Sequence, residues 1–199
     1  MFKLLSSLVM VVMLAVVPNV FAADAYKIDG AHSSIGFSVK HMMVSNTTGQ
    51  FDQYDGAIVY DANDLANSKI DVTIQAASIN TRNTGRDGHL QGADFFDVAK
   101  FPTITFVSKS ITADTIIGDL TIKGVTREVT VPASISGPVT GMGKTKIGIS
   151  AQFTLNRQDY GVSWNKTLDQ GGLAVGDEVK VTVDIEADKQ EAAVVEPAQ

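Results

Sequence analysis

The side chains with the clearest chemical potential lie in two irregular stretches of the sequence. In the first stretch, Arg86, Asp87 and His89 are close neighbours, and a histidine beside a carboxylate is a pairing that general acid–base catalysis uses. In the second stretch, Arg157 and Asp159 are two positions apart. The simpler interpretation of both groups is structural: Asp87 caps a short helical turn, and each arginine forms an ion pair. The alternative is that they contact the polar end of a ligand.

Other catalytic and metal-binding patterns are missing from the sequence. The chain has no cysteine, which excludes disulfides, thiol catalysis and cysteine-ligated zinc. No serine occupies a G-x-S-x-G nucleophile motif. The three histidines, His32, His41 and His89, lack the i, i+4 spacing of a helical zinc motif. We therefore assign no catalytic residue and no metal.

The start of the chain has the pattern of a secretory signal peptide, residues 1–22. Lys3 precedes an uncharged, mainly apolar run at 4–17, and small residues at Val20 and Ala22 suit cleavage after Ala22. The run is shorter than the ~20 apolar residues of a membrane span. With no cysteine for lipid attachment, we expect a soluble protein of the periplasm. The formal charge of −6 also disfavours nucleic acid as a partner.

Apolar and polar residues alternate through most of the remaining chain, which indicates half-buried β-strands. The expected strands are 34–41, 50–61, 69–79, 103–111, 115–123, 127–135, 144–156 and 178–186. Short connections, such as an expected turn at 45–49 and a hairpin loop at 137–143, favour antiparallel neighbours. Eight strands with one shared interior suit a barrel or a sandwich, and a barrel of ~8 strands is either packed solid or wide enough for one slim ligand.

One long segment, residues 83–101, interrupts this alternation between the third and fourth expected strands. Long insertions of this kind are often lids or binding loops. We expect it to form a short helical lid that closes one end of the barrel. The expected domain covers residues 23–188, and an acidic and proline-containing tail, 189–199, is expected to be disordered.

Several motifs, taken in order, resemble the YceI-like family from about residue 25 to residue 187. They are Asp29-x-x-His32-Ser33, Arg86-Asp87-x-His89-Leu90, Asp94-Phe95-Phe96-Asp97, the stretch from Gly118 to Thr126, Asn156-Arg157-x-Asp159-Tyr160-Gly161 and Val175-Gly176-Asp177-Glu178-Val179. The resemblance implies an all-β, extended eight-stranded antiparallel lipocalin-like barrel in the periplasm. It also implies an apolar tunnel that binds and carries a polyisoprenoid or similar long-chain amphiphile, such as a quinone or a polyprenyl phosphate, without catalysis.

The resemblance and the alternation together give a predicted binding site. The polar mouth is expected at Arg86, His89 and Arg157, supported by Asp87 and Asp159. The apolar tunnel is expected to be lined by Ile35, Phe37, Val39, Phe51, Ile74, Phe95, Phe96, Ile147, Ile149, Phe153 and Trp164.

Two other functions remain compatible with the sequence. One is an enzyme that acts on a lipid or small substrate through His89 and nearby carboxylates. The other is a solid-cored barrel that works through its surface, as a stress or adhesion protein. Transient contact with a membrane and a homodimer are expected by family analogy only.

Overall fold

The computed structural model describes residues 23–169 and 171–191. The predicted signal peptide and residues 192–199 of the predicted tail lie outside the described residues, so the proposed domain boundaries stay predictions. In the described ranges no helix is both long enough and apolar enough to span a bilayer.

The described residues form eleven β-strands and one α-helix. The elements are β1 (Asp24–Ile28), β2 (Ser34–His41), β3 (Ser45–Phe51), β4 (Tyr54–Tyr60), β5 (Lys69–Gln75), β6 (Ile79–Asn80), α1 (Thr84–Gln91), β7 (Thr103–Ile111), β8 (Thr115–Ile122), β9 (Val125–Gly141), β10 (Lys144–Asn156) and β11 (Val175–Lys189). Short 3₁₀ turns at Leu65–Asn67, Ala76–Ser78 and Arg157–Tyr160 join some of them.

These strands form a closed barrel with eight walls. Three walls are each made of two consecutive strands: β1 with β2, β3 with β4, and β5 with β6. Each pair acts as one bent strand, because both of its members pair with the same neighbouring wall. The walls then follow chain order, all antiparallel, and β11 returns to β1. This confirms the predicted eight-stranded antiparallel barrel, and α1 lies between the third and fourth walls as predicted.

Two predicted turns are wrong in position. Residues 45–49 belong to β3, and the turn is formed by Met42 and Met43, where the Val44 N–H donates to the His41 carbonyl at 3.1 Å. Similarly, β9 runs to Gly141 and turns only at Met142–Gly143. In both cases cross-strand pairing extends the ladder past residues that normally mark loops. Pro138 is tolerated because this part of β9 pairs on one side only, with β10.

β9 and β10 pair with each other along only part of their length. Residues 125–132 of β9 pair with β8, and residues 133–141 pair with β10. Within the described residues, the last five residues of β10 pair with β11 alone. We call this unpaired stretch the seam. It is crossed by a side-chain bond, from Arg127 Nε to the Asp159 carbonyl at 2.9 Å.

The two ends of the barrel interior differ in packing. At one end, Tyr26, Ile147 and Ala187 are almost completely buried, with 2%, 2% and 0% of their surface exposed. Toward the other end, inward-facing residues such as Phe153 and Val183 are only half-buried. Because these side chains point away from the outer surface, their exposure indicates an internal space that solvent-sized molecules can reach.

Candidate functional site: the internal cavity and its mouth

An elongated cavity of about 240 Å³ runs along the barrel interior. Its lining is apolar except for the side chains of Arg157 and Tyr160. On β11 alone the lining extends from Val175 to Ile185. Because a β-bulge lies between Val175 and Val179, this stretch advances by about eight residues of strand, which span roughly 26 Å, or about 20 Å along the axis of a barrel with tilted strands. The interior is therefore hollow, which removes the premise of the solid-cored alternative.

The cavity is closed at the end where Tyr26 lies. Ile149 and Ile185, which pair across β10 and β11, line the cavity. The next inward pair toward that end, Ile147 and Ala187, does not line it and fills the barrel instead. On β10 and β11 the bore therefore stops between these two layers, although Ile28, which pairs with Ala187, still lines it.

Most of the predicted tunnel residues line this cavity. They are Ile35, Phe37, Val39, Phe51, Ile74, Phe95, Phe96, Ile149 and Phe153. Two do not: Ile147 packs in the closed end, and Trp164 lies at the mouth. Sequence alternation identified the inward face but could not show where along a strand the open space ends. Whether these residues contact a ligand stays a prediction.

The segment from α1 to Phe101 closes the mouth. The Asn83 side chain accepts a hydrogen bond from the Arg86 N–H at 2.9 Å and caps the helix. This corrects the expectation that Asp87 would be the cap. Leu90, in the last turn of α1, and Phe95 and Phe96, which follow the helix, turn inward and line the cavity. The predicted helical lid therefore contributes its apolar side chains to the site.

Arg86 and Asp87 are both attached to one residue that the sequence did not single out, Thr81. Asp87 accepts hydrogen bonds from the Thr81 N–H at 2.9 Å and from its hydroxyl. The hydroxyl bond is the main reason why the pKa of Asp87 lies below its usual value. Arg86 donates from Nε to the Thr81 hydroxyl at 2.7 Å and from Nη2 to its carbonyl at 2.9 Å. Both side chains thus anchor the start of α1, although Arg86 remains exposed.

Arg157 was predicted to offer its charge to a ligand at the mouth, but its guanidinium is bonded to groups of the protein itself. It is only 5% exposed, and all five of its N–H groups are engaged. The acceptors are the carbonyls of Gly176, Val162, Trp164 and Val175 and the carboxylate of Asp177, at distances between 2.6 and 3.3 Å.

Arg157 is therefore a structural centre for residues 157–177. Burial lowers the pKa of its guanidinium, and Asp177 opposes that shift. The expected partner Asp159 plays no such part, because its described contact is the backbone carbonyl that accepts from Arg127. The sequence could not reveal these partners, since most of them are backbone carbonyls that only the fold brings together.

His89 lies in an aromatic group that we call the mouth cluster, made of His89, Phe95 and Trp164. The His89 ring is 5.0 Å from the Phe95 ring and 5.1 Å from the Trp164 ring, both edge-to-face. His89 Nε2 is also 3.0 Å from the Asp94 carboxylate. Among the described residues, no hydroxyl group is hydrogen-bonded to His89. The cluster therefore packs the lid against residues 157–164 and helps to close the mouth.

Two cations that the sequence did not single out also hold the mouth closed. Lys123 Nζ donates to the carbonyls of Ala93 at 3.0 Å and Gly161 at 3.2 Å. Arg127 donates to the Asp159 carbonyl. In the part of the chain that the structure describes, neither side chain has a carboxylate within 4.0 Å.

A cluster of acidic residues lies away from the mouth, around Lys146. Asp29, His32 and Glu186 could together offer ligand atoms to a metal ion. However, the Lys146 ammonium is 3.1 Å from Asp29, 2.7 Å from Glu186 and 2.6 Å from Asp188. Because a lysine already occupies the centre of these carboxylates, we interpret the group as an ion-pair network.

The chain is similar in sequence and in fold to several known proteins. A UPF0312 protein of Staphylococcus aureus strain MRSA252 is 46% identical over 159 residues, covering 78% of this chain and 92% of the relative. The crystal structure of the YceI protein of Campylobacter jejuni is 36% identical, with a TM-score of 0.63 over 76% of this chain and 90% of that one.

Two further structures share the fold at lower sequence identity. BcnA of Burkholderia cenocepacia is 26% identical, with a TM-score of 0.70 over 80% of this chain and 98% of that one. A polyisoprenoid binding domain from Saccharophagus degradans is 14% identical, with a TM-score of 0.63 over 84% and 99%. The YceI-like domain matches residues 26–187, from within β1 to within β11, and the chain belongs to the YceI-like family.

Proposed function

We propose that this protein is an exported binding or carrier protein that holds a polyisoprenoid or similar long-chain amphiphile in its barrel, and that it is not an enzyme. The observation that carries the proposal is the elongated cavity, closed at one end and lined by apolar side chains along its length. A ligand that fills it must be narrow, long and apolar over most of its surface.

The energetics of such a cavity favour a hydrocarbon chain over water. Each CH₂ group removed from water is worth about 0.8 kcal/mol. An engineered apolar cavity of about 150 Å³ in another protein stays dry and binds benzene, and this cavity is larger. The polyisoprenoid binding domain from Saccharophagus degradans, which has the same fold, supports this class of ligand.

The polar end of the ligand, in this proposal, lies at the mouth beside Lys123 and Arg127. Their partners are backbone carbonyls of the segments that close the mouth, at Ala93, Asp159 and Gly161. A phosphate is a stronger acceptor for a cation than a neutral carbonyl is. A phosphorylated head group would therefore compete for these two side chains, whereas a quinone would gain less.

The proposed location is the periplasm. The support is the signal-peptide pattern at residues 1–22, which precedes the barrel. Fractionation of cells expressing the full chain, with N-terminal sequencing of the product, tests this part separately. Protein that keeps residues 1–22 and stays in the cytoplasm would contradict it.

Mass spectrometry of an organic extract from the purified protein is the direct test of the ligand. We expect a long-chain lipid in a stoichiometry close to one per chain. The Ala151→Phe variant places an aromatic ring inside the cavity, so the bound lipid should be lost. The matched control is Gln152→Phe, which adds the same ring on the outer face of the same strand. A lipid-free extract, or equal lipid in both variants, would overturn the proposal.

A further inference from the structure

Four apolar side chains are exposed together on the outside of the barrel. Met42, Met43 and Val44 form the β2–β3 turn and are 41%, 61% and 81% exposed. Leu173, 40% exposed, lies just before the Ala174 carbonyl that accepts from the Met42 N–H at 2.8 Å. We call these four residues the apolar tip. Scattered exposed apolar residues are normal, but four in one protruding group are less so.

The backbone of this tip is unfavourable for the residues it contains. Met42 and Met43 have φ angles of 50° and 61°, in the left-handed region at both central positions of the turn. Such turns strongly favour Asn and Gly. Methionines at both positions place large apolar side chains at the tip in a strained conformation. Strain of this kind concentrates at functional sites.

The apolar tip lies at the mouth end of the barrel. Val39 and Val175 both line the cavity, and Val175 pairs with His41, the residue before Met42. The tip therefore begins directly beyond the last cavity-lining residues of β2 and β11. A surface in contact with the tip is close to the open end of the lipid site.

The hairpin that carries the tip has a charge opposite to that of the whole chain. Hairpin residues 38–48 contain Lys40 and His41 and no acid, and loop residues 165–173 contain Lys166 and one acid, Asp169. The hairpin is therefore net positive in a chain of formal charge −6, whereas Lys166 and Asp169 of the loop cancel and the acids Asp177 and Glu178 of β11 lie opposite Lys40. Exposed apolar groups flanked by cations are the pattern that binds anionic bilayer surfaces.

We propose that the apolar tip inserts into an anionic lipid bilayer and docks the mouth of the barrel there for lipid exchange. The inference rests on the proposed carrier function and adds its partner. A second copy of the chain fits the tip less well, because four side chains on a convex turn fall well short of the ~800 Å² per partner that a standard interface buries.

The test compares vesicle binding by the parent and by the double variant Met42→Asn, Met43→Gly. The vesicles contain phosphatidylglycerol and phosphatidylethanolamine, and binding is measured by flotation. Asn-Gly is the preferred sequence for this turn, so the variant should melt at or above the parent temperature while its vesicle binding falls about tenfold or more. The matched control is Met142→Ser, which removes an exposed methionine from the β9–β10 turn at the closed end.

Three results would overturn the docking proposal: parent protein that does not float, a double variant that floats as well as the parent, or loss of flotation in Met142→Ser. A parent dimer, measured by light scattering, that the double variant converts to a monomer without changing flotation would assign the tip to a second copy. Uptake of a fluorescent long-chain probe, measured without vesicles, reports on the cavity alone. Failure of docking with normal probe uptake leaves the carrier function intact, and failure of uptake contradicts the carrier function itself.

Discussion

The rings of Phe95 and Trp164 lie 5.3 Å apart, although they come from the two different segments that close the mouth. Phe95 is buried and lines the cavity, whereas Trp164 is half-buried and also contacts His89. The contact therefore joins the lid to the segment after β10 across the cavity opening. Release of a ligand through this opening requires the two rings to separate.

We expect Trp164→Ala to release a bound long-chain amphiphile faster than the parent. Aromatic contacts of this kind are worth about 0.5–1.5 kcal/mol, which corresponds to a roughly two- to tenfold faster dissociation. Stopped-flow release of a fluorescent fatty amphiphile measures the rate. Trp164→Phe keeps an aromatic ring and should stay close to the parent. An unchanged rate in Trp164→Ala would show that the ligand leaves by another route.

Replacing Arg157 should destabilise the fold far more than replacing Arg86. Arg157→Met leaves several buried carbonyls and the Asp177 carboxylate without their donor, and removing one partner of a buried ion pair costs about 3–5 kcal/mol. Arg157→Lys should also lose most of this, because lysine cannot reproduce the five-donor geometry. Arg86→Met, in an exposed site, should cost about 1 kcal/mol. Urea denaturation measures all three, and equal losses for Arg157→Met and Arg86→Met would contradict this assignment.

The network around Lys146 should make stability depend on pH at both extremes. Hydrogen bonds from His32 and then Lys146 lower the pKa of Asp29, and bonds from Lys144 and then Lys146 lower the pKa of Asp188. Their contribution is therefore present above the unfolded pKa of about 4 and is lost as the pH falls through the lower folded values. Asp188 and Glu186 raise the pKa of Lys146, so its contribution is present below about pH 10 and is lost above that.

The variant Lys146→Met tests this dependence. Its melting temperature should lie below that of the parent at pH 7, and the difference should shrink steadily below pH 4. Lys109→Met is the control, since Lys109 makes a similar pair with Asp119 and Glu128 on the exposed surface, where ion pairs contribute little. A difference for Lys146→Met that stays constant from pH 7 to pH 2 would be inconsistent with these pKa shifts.

Tyr26→Phe should stabilise the closed end of the barrel. The Tyr26 hydroxyl is buried, and no group among the described residues hydrogen-bonds to it. Burial also raises its pKa. An unpaired buried hydroxyl costs about 1–3 kcal/mol, and its removal keeps the ring packed against Tyr60 at 6.2 Å. The free energy of unfolding in urea should rise by about 1 kcal/mol. A decrease would show that the hydroxyl has a partner in solution.

The sequence predicted the barrel well because alternation reports directly on a half-buried strand. The predicted strand 144–156 coincides with β10, and its inward Ile149 and Phe153 do line the cavity. The same signal could not place Ile147, since an inward side chain looks identical in sequence whether it borders the bore or fills the end. It also misplaced the β2–β3 turn, because Met42 and Met43 are residues that seldom form such turns.

The mouth was less predictable than the barrel, since it depends on contacts between distant residues. Arg157 was expected to bind a ligand because it lies next to an irregular segment, with Asp159 as its support, yet its partners are Asp177 and carbonyls at positions 162–176. Lys123 was predicted only as the last residue of the strand 115–123, and the fold brings it to the carbonyls of Ala93 and Gly161.

The seam between β9 and β10 has a consequence for the size of molecule that the barrel accepts. A continuous ladder fixes the circumference of a barrel through its strand number and stagger. Here β9 and β10 are joined at the seam by the bond from Arg127 to the Asp159 carbonyl, and among the described residues no main-chain pairs join them there. Widening at this place would break that side-chain bond but no strand pairing among the described residues, so we expect the bore to adjust to branched or bulkier chains.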